Sequence, residues 1–205
     1  MNTPMTSTVN FSSTTRGALV LGGVVFAAAG SSLWGEPELG SAASGSQIGV
    51  AILGGLLLLV GVLGVSRDSR ASGKLWRWGI GLVMTGLIAH LVGSTLGLLA
   101  PMLSAGLGGV IAIAAIPAWI LAHLAYVGTT LVGLAVRRTT DLPRPLTVLL
   151  IACTPLVLVG VPAGLALEGI AGAGVASTIA WLATEGQFGL GWLLVGLVRI
   201  RSGRG

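Results

Sequence analysis

The chain has 205 residues, of which 54% are hydrophobic and 8% are charged, and it contains 34 glycines. Its mean hydropathy is +0.97. A soluble domain carries about 25% charged residues, so this composition excludes a soluble globular domain. A helix needs about 20 apolar residues to cross a hydrocarbon layer of about 30 Å, and the sequence contains several such runs. We therefore predict an integral membrane protein.

The predicted fold class is all-α, a polytopic integral membrane protein built as a six-transmembrane-helix bundle. A single membrane domain at 17–198 lies between a polar cytoplasmic tail at 1–16 and a basic cytoplasmic tail at 199–205. In chain order, the predicted spans are 17–34, 47–65, 78–100, 108–136, 146–167 and 176–198. Pro117, Pro155 and Pro162 lie inside spans and predict kinks or local unwinding, because proline lacks a backbone N–H.

The basic residues predict the orientation of this bundle. With the N-terminus inside, all eleven Lys and Arg residues fall on the cytoplasmic side, whereas the outer loops contain only the acids Glu36, Glu38 and Glu168. The positive-inside rule therefore places both termini in the cytoplasm. We expect a multi-pass membrane location, in the cytoplasmic membrane if the source is prokaryotic.

A second interpretation applies to the first span. Arg16, the apolar stretch 17–26 and the alanines at 27–29 also match a signal peptide with an A-x-A cleavage site. Cleavage there would leave five spans and an N-terminus outside. The apolar run continues to Trp34, which is typical of a span that ends at the membrane interface.

Three ionisable side chains lie within predicted spans. His90 is 13 residues after Arg77, whereas His123 and Glu185 are 14 residues before the next inner arginines. At about 1.5 Å per residue, all three lie about 20 Å from the cytoplasmic boundary. We therefore expect His90, His123 and Glu185 to be candidates for one mid-membrane site.

Helical spacing predicts which face each candidate occupies. His90 lies on a stripe with Gly79, Val83, Gly86, Gly93 and Gly97, and such small residues favour close approach of another helix. Tyr126 and Thr130 lie on the face of His123 and are candidates for supporting hydrogen bonds. Glu185 shares a face with Thr178, Trp181, Gly189, Trp192 and Gly196, and Gln187 points roughly the other way.

Four interpretations of the candidate cluster stay open. The two histidines and the glutamate could ligate a divalent metal, or they could relay protons coupled to transport. His90 and His123 alone could ligate a haem, with Gly86 and Gly93 leaving room for its edge. The fourth interpretation is structural, because interhelical hydrogen bonds of about 0.6–2 kcal/mol often fix helix register without any ligand. On that interpretation the protein has no cofactor.

Other sequence features narrow the function. The lone Cys153 excludes a disulfide framework, and no P-loop, serine elbow or HExxH pattern is present. No catalytic residue is therefore predicted, and the pattern favours a protein that is not an enzyme. The leading hypothesis is proton- or cation-coupled transport. The alternatives are a non-catalytic scaffold and a haem- or metal-binding redox protein. The expected partners are the lipid bilayer and helices of a second copy or of another membrane protein, with no nucleic acid.

Overall fold

The computed structural model describes residues 7–9, 11–30, 42–68, 73–139, 142–198 and 200–202. The described residues are almost entirely helical. Their α-helices are α1 Ser13–Ala29, α2 Ala42–Asp68, α3 Lys74–Leu99, α4 Ala105–Ala122, α5 Leu124–Thr139, α6 Arg144–Ile151, α7 Cys153–Ala171, α8 Ala173–Trp181 and α9 Gln187–Leu197. A 3-10 turn at Ala100–Met102 follows α3, and a π-helical segment at Leu182–Gly186 joins α8 to α9.

These helices form six rods, because three pairs continue one another. The rods are α1, α2, α3, α4 with α5, α6 with α7, and α8 with α9. Each rod packs against the next along the chain, and the last packs back against α1 through both α9 and the π segment. The rods therefore close into a ring. Trp192 and Phe188 lie in its interior and are fully buried.

Four of the helical runs are long and apolar enough to cross a membrane: Ser44–Arg67, Lys74–Met102, Ala105–Arg137 and Cys153–Ile170. The helix Ser13–Ala29 is apolar but shorter. An all-α fold with several helices long and apolar enough to span a membrane is therefore confirmed, and it is compatible with a membrane location. The predicted outer loop that contains Glu36 and Glu38 lies outside the described residues.

The two ends of the described chain meet. Residues Ser7–Val9 form strand β1, which pairs in antiparallel fashion with strand β2, Ile200–Ser202. The sequence did not predict this short ladder, which is the one departure from helix among the described segments with regular backbone structure. It brings the two tails together at one end of the ring.

The observed helix boundaries differ from the predicted ones at the start of the first span and at one outer connection. The first helix begins at Ser13 rather than 17, because the Ser12 side chain accepts a hydrogen bond from the Thr15 backbone N–H at 3.1 Å and so caps the helix. Arg16 therefore lies within α1, not in a tail. The predicted outer connection at 168–175 is reduced to Gly172, whose φ of 85° is a conformation that glycine adopts without strain.

Helices α1 and α2 approach each other closely through glycines. A Cβ added at Gly54 would lie 2.6 Å from the Phe26 backbone nitrogen, and one at Gly22 would lie 2.7 Å from that of Leu58. Without side chains at these positions the two backbones pack directly, which is how helices associate in lipid. This contact fixes Phe26 in the ring interior.

Candidate functional site

His90 projects from α3 into the bundle and is 8% exposed. Its ring centroid lies 4.9 Å from that of Phe26 on α1 and 5.4 Å from that of Trp119 on α4. The Ser94 hydroxyl lies 3.5 Å from His90 Nε2, at the outer limit of a hydrogen bond. Three different rods therefore hold the imidazole in place.

The glycine stripe explains why His90 is buried. A Cβ at Gly86 would lie 2.2 Å from the Ala125 backbone nitrogen, and a Cβ at Gly93 would lie 3.2 Å from the Trp119 indole. The stripe thus packs α3 against the α4–α5 rod, and His90 lies between these two contacts. The prediction that His90 faces protein is confirmed.

His90 and Glu185 line the same cavity, which has a volume of about 160 Å³. Its wall also contains Phe26 of α1, Gly30 at the C-terminal cap of that helix, Gln47 of α2 and Trp119 of α4. We call this space the His90–Glu185 cavity. It combines a base, an acid and an amide with two aromatic faces.

The π segment positions Glu185. The extra residue in a π turn shifts the helical phase, and the Trp181 indole Nε1 fixes that phase by donating to the Ala27 carbonyl at 2.7 Å. A Cβ at Gly30 would lie 3.2 Å from Glu185 Cδ, so the carboxyl group packs directly on the end of α1. Glu185 is partly exposed, toward the cavity that it lines with His90.

The Thr184 hydroxyl lies between the backbone and the carboxyl group of Glu185. Thr184 Oγ1 lies 2.7 Å from the Ala180 carbonyl oxygen and also hydrogen-bonds to Glu185 Oε2. A hydroxyl has one proton, whereas a carbonyl oxygen only accepts. Thr184 therefore donates to only one of these two oxygens at a time.

His123 lies apart from this cavity. It is exposed and is the residue at which α4 ends. Its backbone N–H bonds to the Ile120 carbonyl at 3.2 Å, rather than to the Trp119 carbonyl as in a regular α-helix. The carbonyl left over is that of Trp119, and His123 Nδ1 lies 2.9 Å from it. Since a carbonyl accepts, Nδ1 donates. At this helix break the His123 imidazole therefore replaces the His123 backbone N–H as the hydrogen-bond donor to the Trp119 carbonyl.

Tyr126 and Thr130, which were predicted to support His123, do not line the His90–Glu185 cavity either. The Tyr126 ring centroid lies 5.8 Å from that of His123 and 5.5 Å from that of Phe188. Thr130 faces the α6–α7 rod instead: its hydroxyl lies 3.2 Å from the Ile151 carbonyl oxygen and 2.9 Å from Thr154 Oγ1. Thr130 therefore supports a helix break rather than a histidine.

The candidate ligands of the metal and haem interpretations occupy different places in the structure. Within the described ranges no three His, Cys, Asp or Glu side chains lie close enough together to hold a metal ion. Of the three candidates at one predicted depth, His90 and Glu185 line one cavity, whereas His123 is exposed at the end of α4 and does not line it. Gly86 leaves no room for a haem edge, since Ala125 and the Ala122 carbonyl fill that space.

Sequence reasoning missed one residue of the polar interior, Gln47, and named no hydrogen-bond partner for Gln187. Gln47 Nε2 donates to the Ala29 carbonyl at 3.0 Å and closes one side of the cavity. Gln187 is buried and donates from Nε2 to the Leu149 carbonyl at 2.9 Å. The signal for Gln187 was present, since an amide within an apolar span requires a hydrogen-bond partner.

Comparisons with protein-family models, with curated proteins and with solved structures gave no match to this chain. Its function must therefore be argued from its own residues.

Proposed function

We propose that the chain crosses the membrane six times with both termini in the cytoplasm. The β1–β2 ladder supports an even number of crossings, because it joins the two ends of the chain. The distribution of Lys and Arg supports the cytoplasmic side for both ends. Each of the six rods supplies one span. The first rod, α1, is short, and the last rod is interrupted by the π segment.

We propose further that the protein carries out proton- or cation-coupled transport, with His90 and Glu185 as the groups that bind the coupling ion. The observation that carries this proposal is that the two side chains line one cavity. An ionised acid at mid-membrane costs about 2.5–3.5 kcal/mol even on the lenient insertion scale. A partner base and a space for water or a cation offset that cost.

Through the hydrogen bond between Glu185 and Thr184, ion binding would change the hydrogen bonds of the helix backbone. Protonation of the carboxyl would change how the Thr184 hydroxyl is shared with the Ala180 carbonyl, within a helix that is already interrupted. Interrupted helices at membrane depth are a recurring feature of transporter binding sites. The π segment is thus the element whose geometry responds to the ion.

A non-catalytic scaffold is the second candidate, and the close glycine contacts of α1 with α2 and of α3 with α5 favour it. In that case His90 and Glu185 only fix helix register. Their substitution would then lower stability without any linked change in ion binding.

The two candidates can be separated by reconstituting the protein on a solid-supported membrane and applying a pH jump. The transport proposal predicts a transient charge displacement for the wild type, its loss in Glu185→Gln and its reduction in His90→Gln. His123→Gln is the matched control, because it changes the same residue type outside the cavity, and it should keep the wild-type signal. Equal signals in folded wild type and Glu185→Gln, or none above a protein-free membrane, would contradict transport and favour the scaffold.

A further inference from the structure

A large apolar groove lies beside the His90–Glu185 cavity. It has a volume of about 630 Å³ and is formed by the start of α2, the end of α3 and the start of α4. Gly97 and Gly109 lie on its wall, and a Cβ at either position would meet no atom within 4 Å. These glycines therefore keep the groove open without mediating a helix contact. We call this space the apolar groove.

The groove and the cavity adjoin, since Ile48 on α2 and Trp119 on α4 line both spaces. The cavity is polar, with His90 and Glu185, whereas most residues that line the groove are apolar. A molecule that fills both must have a small polar head and an apolar tail.

The charges and aromatic faces specify the head. Glu185 is an acid, and none of the described residues that line either space is Lys or Arg. Phe26 and Trp119 also face the cavity, and aromatic faces attract cations, ammonium groups in particular. A cavity lined by a carboxylate and two aromatic rings selects a cation over a phosphate or a carboxylate.

We propose that the cavity and the groove together bind a lipophilic organic cation, with its ammonium group beside Glu185 and its alkyl chain along Gly97 and Gly109. This inference rests on the proposed transport function and names the substrate class of the same site. Entry from the bilayer follows from the composition of the groove, since a hydrocarbon chain leaves lipid tails for an equally apolar wall.

The test uses the full chain in phosphatidylcholine nanodiscs, with radiolabelled dodecyltrimethylammonium as the probe and empty nanodiscs for background. We expect saturable binding near one probe per chain. Unlabelled tetramethylammonium should displace it weakly, and dodecanol, which has the same chain without the charge, should not displace it. Glu185→Gln should weaken binding about tenfold or more, because a charged interaction is lost from a partly desolvated site.

The groove is tested separately with two leucine variants on the same helix. Gly109→Leu fills the space of about two methylene groups and should weaken probe binding about tenfold. Gly106→Leu is the matched control: its Cβ also meets nothing within 4 Å, but Gly106 does not line the groove, so wild-type affinity is expected. Both positions have free space, so folding should be preserved in each variant.

Absence of saturable binding, wild-type affinity in Glu185→Gln, or equal displacement by dodecanol would overturn the proposed substrate class. Equal effects of the two leucine variants would overturn the assignment of the groove. The failure of this inference differs from the failure of transport. Charge displacement without saturable probe binding contradicts only the substrate class, whereas saturable binding without charge displacement contradicts only ion-coupled transport.

Discussion

The two halves of the chain build their helices differently. The three rods of the first half, α1, α2 and α3, are continuous within the described residues, and they meet their neighbours through glycines. Each of the three rods of the second half is interrupted: at His123, at Ala152 and at the π segment Leu182–Gly186. Both halves contain helices long and apolar enough to cross a membrane, so hydrophobicity alone does not explain the difference.

The difference lies in how backbone groups are satisfied. A continuous helix pairs its own N–H and C=O groups, so its surface can be bare glycine and its neighbour can approach closely. An interrupted helix leaves carbonyls that lipid cannot satisfy, so nearby side chains must donate to them. His123 and Thr130 both do so, at the Trp119 and Ile151 carbonyls. Polar residues in the second half are therefore often structural.

The candidate site lies where the two halves meet. His90 belongs to a continuous rod, whereas Glu185 belongs to an interrupted one, and the cavity between them is closed by residues of both halves. This arrangement places the base on a continuous helix and the acid on an interrupted one. The predictions below test each side of this contrast.

The largest effect is expected from filling a glycine contact of the continuous half. Gly86→Ala puts a methyl group 2.2 Å from the Ala125 backbone nitrogen, so α3 and α5 must separate. Overpacking of this kind costs about 1–3 kcal/mol or more. Gly81→Ala is the control on the same helix, because its Cβ meets nothing within 4 Å, and the higher helix propensity of alanine should make it neutral or slightly stabilising. Unfolding in mixed micelles measures both, and equal stabilities would contradict the close contact.

A moderate effect is expected at the break between α6 and α7. Pro155 has no N–H for the Ile151 carbonyl, and the Thr130 hydroxyl donates to it instead. Thr130→Val should therefore lower the free energy of unfolding by about 1–2 kcal/mol. Thr95→Val is the control, since the Thr95 hydroxyl is exposed and bonds only to Leu91 in its own helix.

A double-mutant cycle sharpens this prediction. Pro155→Ala returns an N–H to the Ile151 carbonyl, so Thr130→Val should cost less in that background than in the wild type. Additive effects would show that Thr130 does not compensate for the proline.

The smallest effect is expected at His123. His123→Leu removes the Nδ1 donor, but the backbone N–H can return to the Trp119 carbonyl and restore an ordinary helical turn. We expect a loss of at most about 1 kcal/mol in the same unfolding assay. A loss several times larger would mean that the break at this residue is needed for the fold.

The sequence predicted the parts of this structure that depend on spacing within one helix. The glycine stripe on α3 correctly placed His90 inside the bundle. The face that Glu185 shares with Trp181 and Gly189 does meet α1, since a Cβ at Gly189 would lie 3.0 Å from the Ala27 backbone nitrogen. The first prediction depends only on regular helical geometry, whereas the second holds across the π segment between Trp181 and Gly189.

Helix breaks account for what the sequence did not predict. Pro155 correctly indicated a break, which falls at Ala152, but Pro162 lies within an unbroken α7 and the π segment contains no proline. A break changes the helical phase beyond it, so spacing counted through it misassigns faces. For this reason Thr130 was predicted to lie on the same helix face as His123. Trp192 was likewise predicted to share a face with Glu185, which meets α1, but its indole bonds to Thr129 in the ring interior.

The central claim is that Glu185 shares its cavity with His90 and not with His123. Infrared difference spectroscopy of the carboxyl stretch tests it directly, with the Glu185 band identified by its absence in Glu185→Gln. The account predicts that the frequency of this band shifts in His90→Gln and stays at the wild-type value in His123→Gln. A frequency that is unchanged in His90→Gln, or that shifts equally in both histidine variants, would contradict it.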